Sequence, residues 1–395
     1  MSRMLVRLSV VFATLVLAAA PLRAEPFPSI LVDVNSGQVL EHQDAFKRWY
    51  PASLTKLMLM YVVFTELSDG ELTLDSTVHV SQRAATQPPA KMYLNPGATM
   101  TLDSAMKIIM TKSANDIAMA IAESVGGSEG AFVEKMNATA ARLGLADTHF
   151  INPNGLPGKG QYSTARDLAV LATDLRRQFP QYAFYFDIPG IDYGEWEIEN
   201  TNLLMGRFPG IDGMKTGFIC ASGFNQVSSA TRNGRTLVAV ALGQPSLGAR
   251  AKKTAELLQA GFGKHPQGGP TLSTLRPEGG HDEKVYNVYN QICTKKAHDQ
   301  RMAARDDNGD VVVEAPYMHD QVKRPYIRVK LLTTGGVASA RIASIPLPTP
   351  RPAHEAMPQT ASAYAEAGDE SEASQALANA VTGASVPIPR GRPQP

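Results

Sequence analysis

Residues 57–64 are apolar at all eight positions, and Ser53 and Lys56 stand just before them. A helix apolar on every side belongs at the centre of a domain, because no face of it tolerates water. With Lys56 and Glu66 flanking it, the run is too short to cross a membrane. The fold is therefore expected to be built around this segment, with Lys56 at the margin of the core. An idle charge there would be costly to bury; the plain alternative is an exposed lysine in the first helical turn.

Other segments frame that helix. Residues 29–34 read as a strand, Asn35-Ser36-Gly37 as a turn and 38–40 as the return strand. Helical periodicity covers 101–125, in two runs at 102–111 and 116–125, then 130–143 and 164–178. Residues 223–229 and 236–243 read as strands, followed by a helix over 247–259. Strands at both ends of a domain with helices between them predict a mostly antiparallel sheet carrying helices, an α+β fold. Hydrophobic residues at 44% are ample for its core.

The flanks differ in kind. Arg3 and Arg7 precede an almost unbroken small or apolar run over 8–20, and Leu22-Arg23-Ala24 offers a cleavage site. Residues 1–24 thus read as a secretory signal peptide, with an uncleaved anchor as the alternative. Removing its three arginines takes the net charge from +1 to about −2, which argues against a nucleic-acid binder. One domain is expected over 25–265, then a linker and a small, partly structured segment over 266–345. That segment holds a helix around 285–304 and strand-like runs at 311–315 and 326–332. From 346 to 395 there are nine prolines and only three Leu or Ile, which predicts a disordered tail. Nothing in the C-terminus is amphipathic enough to anchor on a membrane. Two cysteines exclude a multi-cysteine zinc scaffold, and neither a metal nor a cofactor is expected.

Three short motifs carry chemistry. Ser53 and Lys56 are three residues apart and share a helix face, so the lysine can take the serine's proton if burial and nearby positive charge lower its pKa. Ser113 and Asn115, between two helical runs, can turn together into a cleft; alone they would read as a helix cap. Lys215 and Thr216 can bind a carboxylate, and Gly217 lets a ligand backbone approach the strand; alone they would be an ordinary solvated strand. Each is weak singly. Their order along one chain is specific.

That set resembles the Ser-x-x-Lys, Ser-x-Asn and Lys-Thr-Gly motifs of penicillin-binding proteins and class A β-lactamases. Residues 28–263 resemble the low-molecular-mass penicillin-binding proteins, serine-type D-alanyl-D-alanine carboxypeptidases. The phrases Tyr50-Pro-Ala-Ser-Leu-Thr-Lys56, Lys112-Ser-Ala-Asn-Asp116, Asn152-Pro-Asn-Gly155, Ser163-Thr-Ala-Arg-Asp167 and Gly210-Ile-Asp-Gly-Met-Lys-Thr-Gly217 carry the likeness. It implies an antiparallel sheet flanked by helices, an all-helical subdomain and a cleft between them. It also implies periplasmic peptidoglycan stem peptides as substrate and β-lactams as covalent inhibitors. Ser53 would be the nucleophile and Lys56 its base, with the N–H groups of Ser53 and Phe218 facing the oxyanion. Lys215 and Ser113 would manage protons, and Asn115 would hold the substrate amide. Thr216 would take the terminal carboxylate with Arg250, an assignment resting on relative position alone. Residues 266–395 resemble nothing familiar, and the β-rich second domain of many relatives is missing.

Rivals are separable. A class A β-lactamase needs a glutamate between the second and third motifs; none occurs from 135 to 194, although Glu195, Glu197 and Glu199 follow. An endopeptidase acting on D-alanyl cross-links would use the same residues. A non-catalytic wall-binding protein would have no need of Ser53, Lys56, Ser113, Asn115 and Lys215 together. Export to an oxidising compartment predicts a Cys220–Cys293 disulfide; two unrelated buried thiols are the alternative.

Overall fold

Helix α1 (Lys56–Ser68) buries its residues 56–64 completely, and the rest of the molecule is arranged about it. The computed structural model describes residues 27–266, 268–277, 282–313 and 315–334. The expected leader at 1–24 and the tail at 346–395 lie outside them. Before α1 come β1 (Ser29–Asp33), β2 (Val39–Gln43), the short β3 (Arg48–Trp49) and a 3-10 turn at Ala52–Thr55. The helical lobe follows: β4 (Thr77–His79), α2 (Gln82–Ala85), β5 (Ala98–Thr101), α3 (Leu102–Lys112), α4 (Asn115–Gly126) and α5 (Glu129–Arg142). Then come α6 (Ala165–Gln178), the hairpin β6 (Gly190–Tyr193) and β7 (Trp196–Glu199), three long strands β8 (Ile211–Ile219), β9 (Gly223–Arg232) and β10 (Arg235–Gln244), and α7 (Leu247–Phe262).

The main sheet has the order β2-β1-β10-β9-β8, antiparallel throughout, so the first strand lies beside the tenth. Side chains alternate across it with the period of two that a pleated strand imposes. Ile30, Val32, Val238 and Val240 join the core of α1 and α6, whereas Leu31, Leu237 and Ala239 pack with Ala251, Ala255 and Leu258 of α7. Both faces are covered, which explains why β1 is buried at all five positions. Strand β8 ends the order, and among the described residues no strand pairs with its other edge.

After α7 the chain travels back over the domain as a strap. Strand β11 (Val285–Tyr286) pairs in parallel with β3, β12 (Ile327–Arg328) in parallel with β6, and β13 (Leu331–Thr334) antiparallel with β5. Between them lie α8 (Tyr289–Ile292) and α9 (Lys295–Ala303). The expected single helix around 285–304 is thus divided: its start is drawn into a strand beside β3, and Thr294 restarts the helix by accepting the Ala297 N–H. At 311–315 the expected strand reduces to one bridge between Arg305 and Val311. Cys293, at the break, is bonded to Cys220 just beyond β8, with their Cα atoms 5.5 Å apart. No helix among the described residues is long and apolar enough to cross a membrane.

Candidate active site

Three elements converge on Ser53. The 3-10 turn before α1 presents it, the α3–α4 junction brings Ser113 and Asn115, and β8 brings Lys215 to Phe218. The turn is tightly held. Ala52, just before the serine, has φ +48°, a region costly for any residue with a side chain. Gly217 lies so close that a Cβ on it would stand 2.9 Å from the Ser53 nitrogen and 3.1 Å from the Pro51 carbonyl. On the opposite side Gly155, at φ +86°, presses on the same turn; a Cβ there would fall 1.9 Å from the Ala52 carbonyl.

Lys56 is fully buried. Its Nζ lies 3.0 Å from Ser53 Oγ, 2.8 Å from Asn115 Oδ1 and 2.7 Å from the Asn154 carbonyl. Two of these partners can only accept, so a neutral amine spends its two N–H bonds on them and turns its lone pair to the serine hydroxyl. Burial, and then the charge of Lys215, hold its pKa well below the ordinary lysine range, while Asp116 pulls the other way. Lys215 is also buried and lowered to about 7, by desolvation and then by Arg250. A lysine whose charged form burial disfavours, within hydrogen-bond reach of a serine hydroxyl, suits proton abstraction from that serine.

Ser113 closes α3 in a left-handed conformation, φ +64°, and its buried Oγ has no hydrogen-bond partner among the described residues. A buried hydroxyl left unpaired in a cleft is poised for a substrate or a water. Asn115 differs from expectation: both ends of its amide are already engaged. Oδ1 accepts from Lys56, while Nδ2 donates to the Pro88 and Pro89 carbonyls at 3.0 and 3.2 Å. It orients the base and pins the 88–93 loop. Thr216 Oγ1 meets Thr201 Oγ1 at 2.7 Å, and Arg250, buried in the first turn of α7, donates to the Thr201 carbonyl at 3.0 Å. Arg250 thus stands one residue removed from Thr216. The Phe218 ring lies tilted against that of Phe224, with centroids 4.2 Å apart.

Two contributors had no role assigned from sequence. Asn154 acts through its backbone carbonyl, which no residue type reveals, although the Asn-Pro-Asn-Gly phrase marked the place. Asp116 accepts from the N–H groups of Met92, Tyr93 and Ile117, tying the 88–93 loop to α4. Glu195, Glu197 and Glu199 are exposed on the β6–β7 hairpin, and Glu199 accepts from the Tyr326 hydroxyl of the strap.

Residues 17–246 match the family model described as D-alanyl-D-alanine carboxypeptidase. The D-alanyl-D-alanine carboxypeptidase DacF of Bacillus subtilis (strain 168) is 30% identical over 306 residues, spanning 74% of this chain and 78% of its own. Penicillin binding protein 5 from Haemophilus influenzae superposes with TM-score 0.58 and 31% identity, over 62% of this chain and 72% of that one. Penicillin-Binding Protein D2 from Listeria monocytogenes, solved with ampicillin bound, gives TM-score 0.54 and 28% identity over 62% and 99%.

Proposed function

The chain belongs to the D-alanyl-D-alanine carboxypeptidase family, and we propose that it removes the terminal D-alanine from peptidoglycan stem pentapeptides through an acyl-enzyme on Ser53. The observation that carries this is the Lys56 amine, buried, doubly committed as a donor and 3.0 Å from Ser53 Oγ. Ser53 Oγ gives its proton to Lys56 and attacks the carbonyl between the two D-alanines. The oxyanion is held by the N–H groups of Ser53 and Phe218, a contribution of about 3 kcal/mol per donor. Lys56, with the Ser113 hydroxyl as relay, returns the proton to the departing amine. Lys215, Thr216 and Arg250 hold the terminal carboxylate. Water, activated by the same base, then releases the shortened peptide.

A β-lactam enters the same path and leaves an ester on Ser53, in keeping with the ampicillin-bound relative. The expected leader places this chemistry in the periplasm, where the substrate is. One experiment tests the reading: fluorescent penicillin should label purified protein covalently, and Ser53→Ala should abolish both labelling and D-alanine release. Labelling that persists in Ser53→Ala would overturn it.

A further inference from the structure

Beyond Phe218 the active-site strand runs to the Cys220–Cys293 bridge, and the strap lies across its end. Between strap and sheet is a cavity of about 100 Å³. Phe218, Phe224, Leu247 and Met302 supply apolar wall, and His298 and Arg301 stand at its rim. The strap residues lie beyond the residues matched by the family model. Segment 295–305 carries two lysines, two arginines and a histidine against Asp299 alone, which pairs with Lys295 at 2.8 Å. Arg301 is partly buried. It donates to the Ile292 carbonyl at 2.7 Å and lies 5.8 Å from the Phe224 ring centre, and no carboxylate among the described residues pairs with it. A guanidinium withdrawn from water without a counter-charge favours an arriving carboxylate.

The direction of the substrate follows from the proposed reaction, on which this inference rests. With the terminal carboxylate at Thr216 and the scissile carbonyl at the Phe218 N–H, the acyl part runs on toward Cys220. The outer edge of β8 can receive it as an added strand, advancing about 3.3 Å per residue. The residue preceding the two D-alanines then reaches the cavity mouth. We propose that this cavity is a specificity subsite for that residue, taking an unbranched aliphatic side chain that ends in a carboxylate, with the methylenes against Phe218 and Met302 and the carboxylate on Arg301.

The test uses three acetylated peptides X-D-Ala-D-Ala, where X is 2-aminoadipate, its side-chain amide or lysine. Wild type should release D-alanine from the acid with kcat/KM about tenfold above the amide, and from lysine least well. Arg301→Met should erase the preference for acid over amide, and Arg301→Lys should keep part of it. Penicillin, which lacks this side chain, should acylate wild type and Arg301→Met at rates within about twofold, showing the machinery intact. Should Arg301→Met fail to label, Met302→Glu supplies the same information by favouring the lysine peptide. A preference near unity in wild type, or one that survives Arg301→Met, overturns the subsite and leaves the peptidase reading standing. Failure of wild type to label at all would remove both.

Discussion

Lys56 has three neighbours and needs only two protons to satisfy them, which leaves its lone pair for the serine, while burial and then the charge of Lys215 hold its pKa low. Its low pKa and that of Lys215 predict a bell-shaped rate of acylation. Activity rises as Lys56 loses its proton and falls as Lys215, lowered to about 7, loses the charge that holds the carboxylate. Lys215→Arg should push the falling limb upward by about two pH units or more, since a guanidinium stays charged; an unmoved limb would assign it elsewhere. The same shift has a stability sign. The unfolded chain keeps the Lys215 proton up to about 10.5 while the folded chain sheds it near 7, so folding stability rises with pH across that window and the burial cost is complete below it. Lys215→Met should therefore raise the melting temperature at pH 6 while abolishing D-alanine release. Gly155→Ala should slow penicillin labelling by about tenfold or more, because its Cβ would occupy the Ala52 carbonyl. Normal labelling with an unchanged melting temperature would contradict that. At this scale the sequence was most readable where side chains make the contacts, as between Ser53 and Lys56. It was least readable where backbone does, as at Asn154, or where a loop must first fold back, as at Asp116.

Among the elements, those with a clear local pattern were legible from the sequence. The strands at 29–34, 223–229 and 236–243 fall within a few residues of their observed bounds as short apolar runs buried on both faces, and the helices beside them through the repeat of their buried face. The strap was legible only in part: the helix expected around 285–304 is divided and the run at 326–332 holds β12 and the start of β13, but its strands are two to four residues long and exist only by pairing with partners far away in sequence. The β6–β7 hairpin bears on turnover. It holds Glu195, Glu197 and Glu199 in solvent, and no other glutamate lies between α5 and it, so the stretch expected to supply a deacylating glutamate has none. Penicillin should thus give a stoichiometric burst followed by slow release, measured as product formed against time. Rapid multiple turnover would show that water is activated by another group.

For the molecule as a whole, the bridge from Cys220 to Cys293 fastens the strap to the end of the active-site strand. Closing a loop of 73 residues stabilises by about 4 kcal/mol in the chain-entropy model, less any strain. Cys293→Ser should lower the denaturation midpoint accordingly, and protein taken from the periplasm should carry no alkylatable thiol. Free Cys220 in such a sample would remove the strap's covalent hold.

The order of the main sheet also sets a timetable. Ser29 lies opposite Ala241, so the first strand has no neighbour on that side until more than two hundred further residues exist. Pairings so distant in sequence form late and slowly. The earliest strand therefore cannot complete its place in the sheet while the later strands are still being made, and the domain cannot close until nearly all of it has been synthesised.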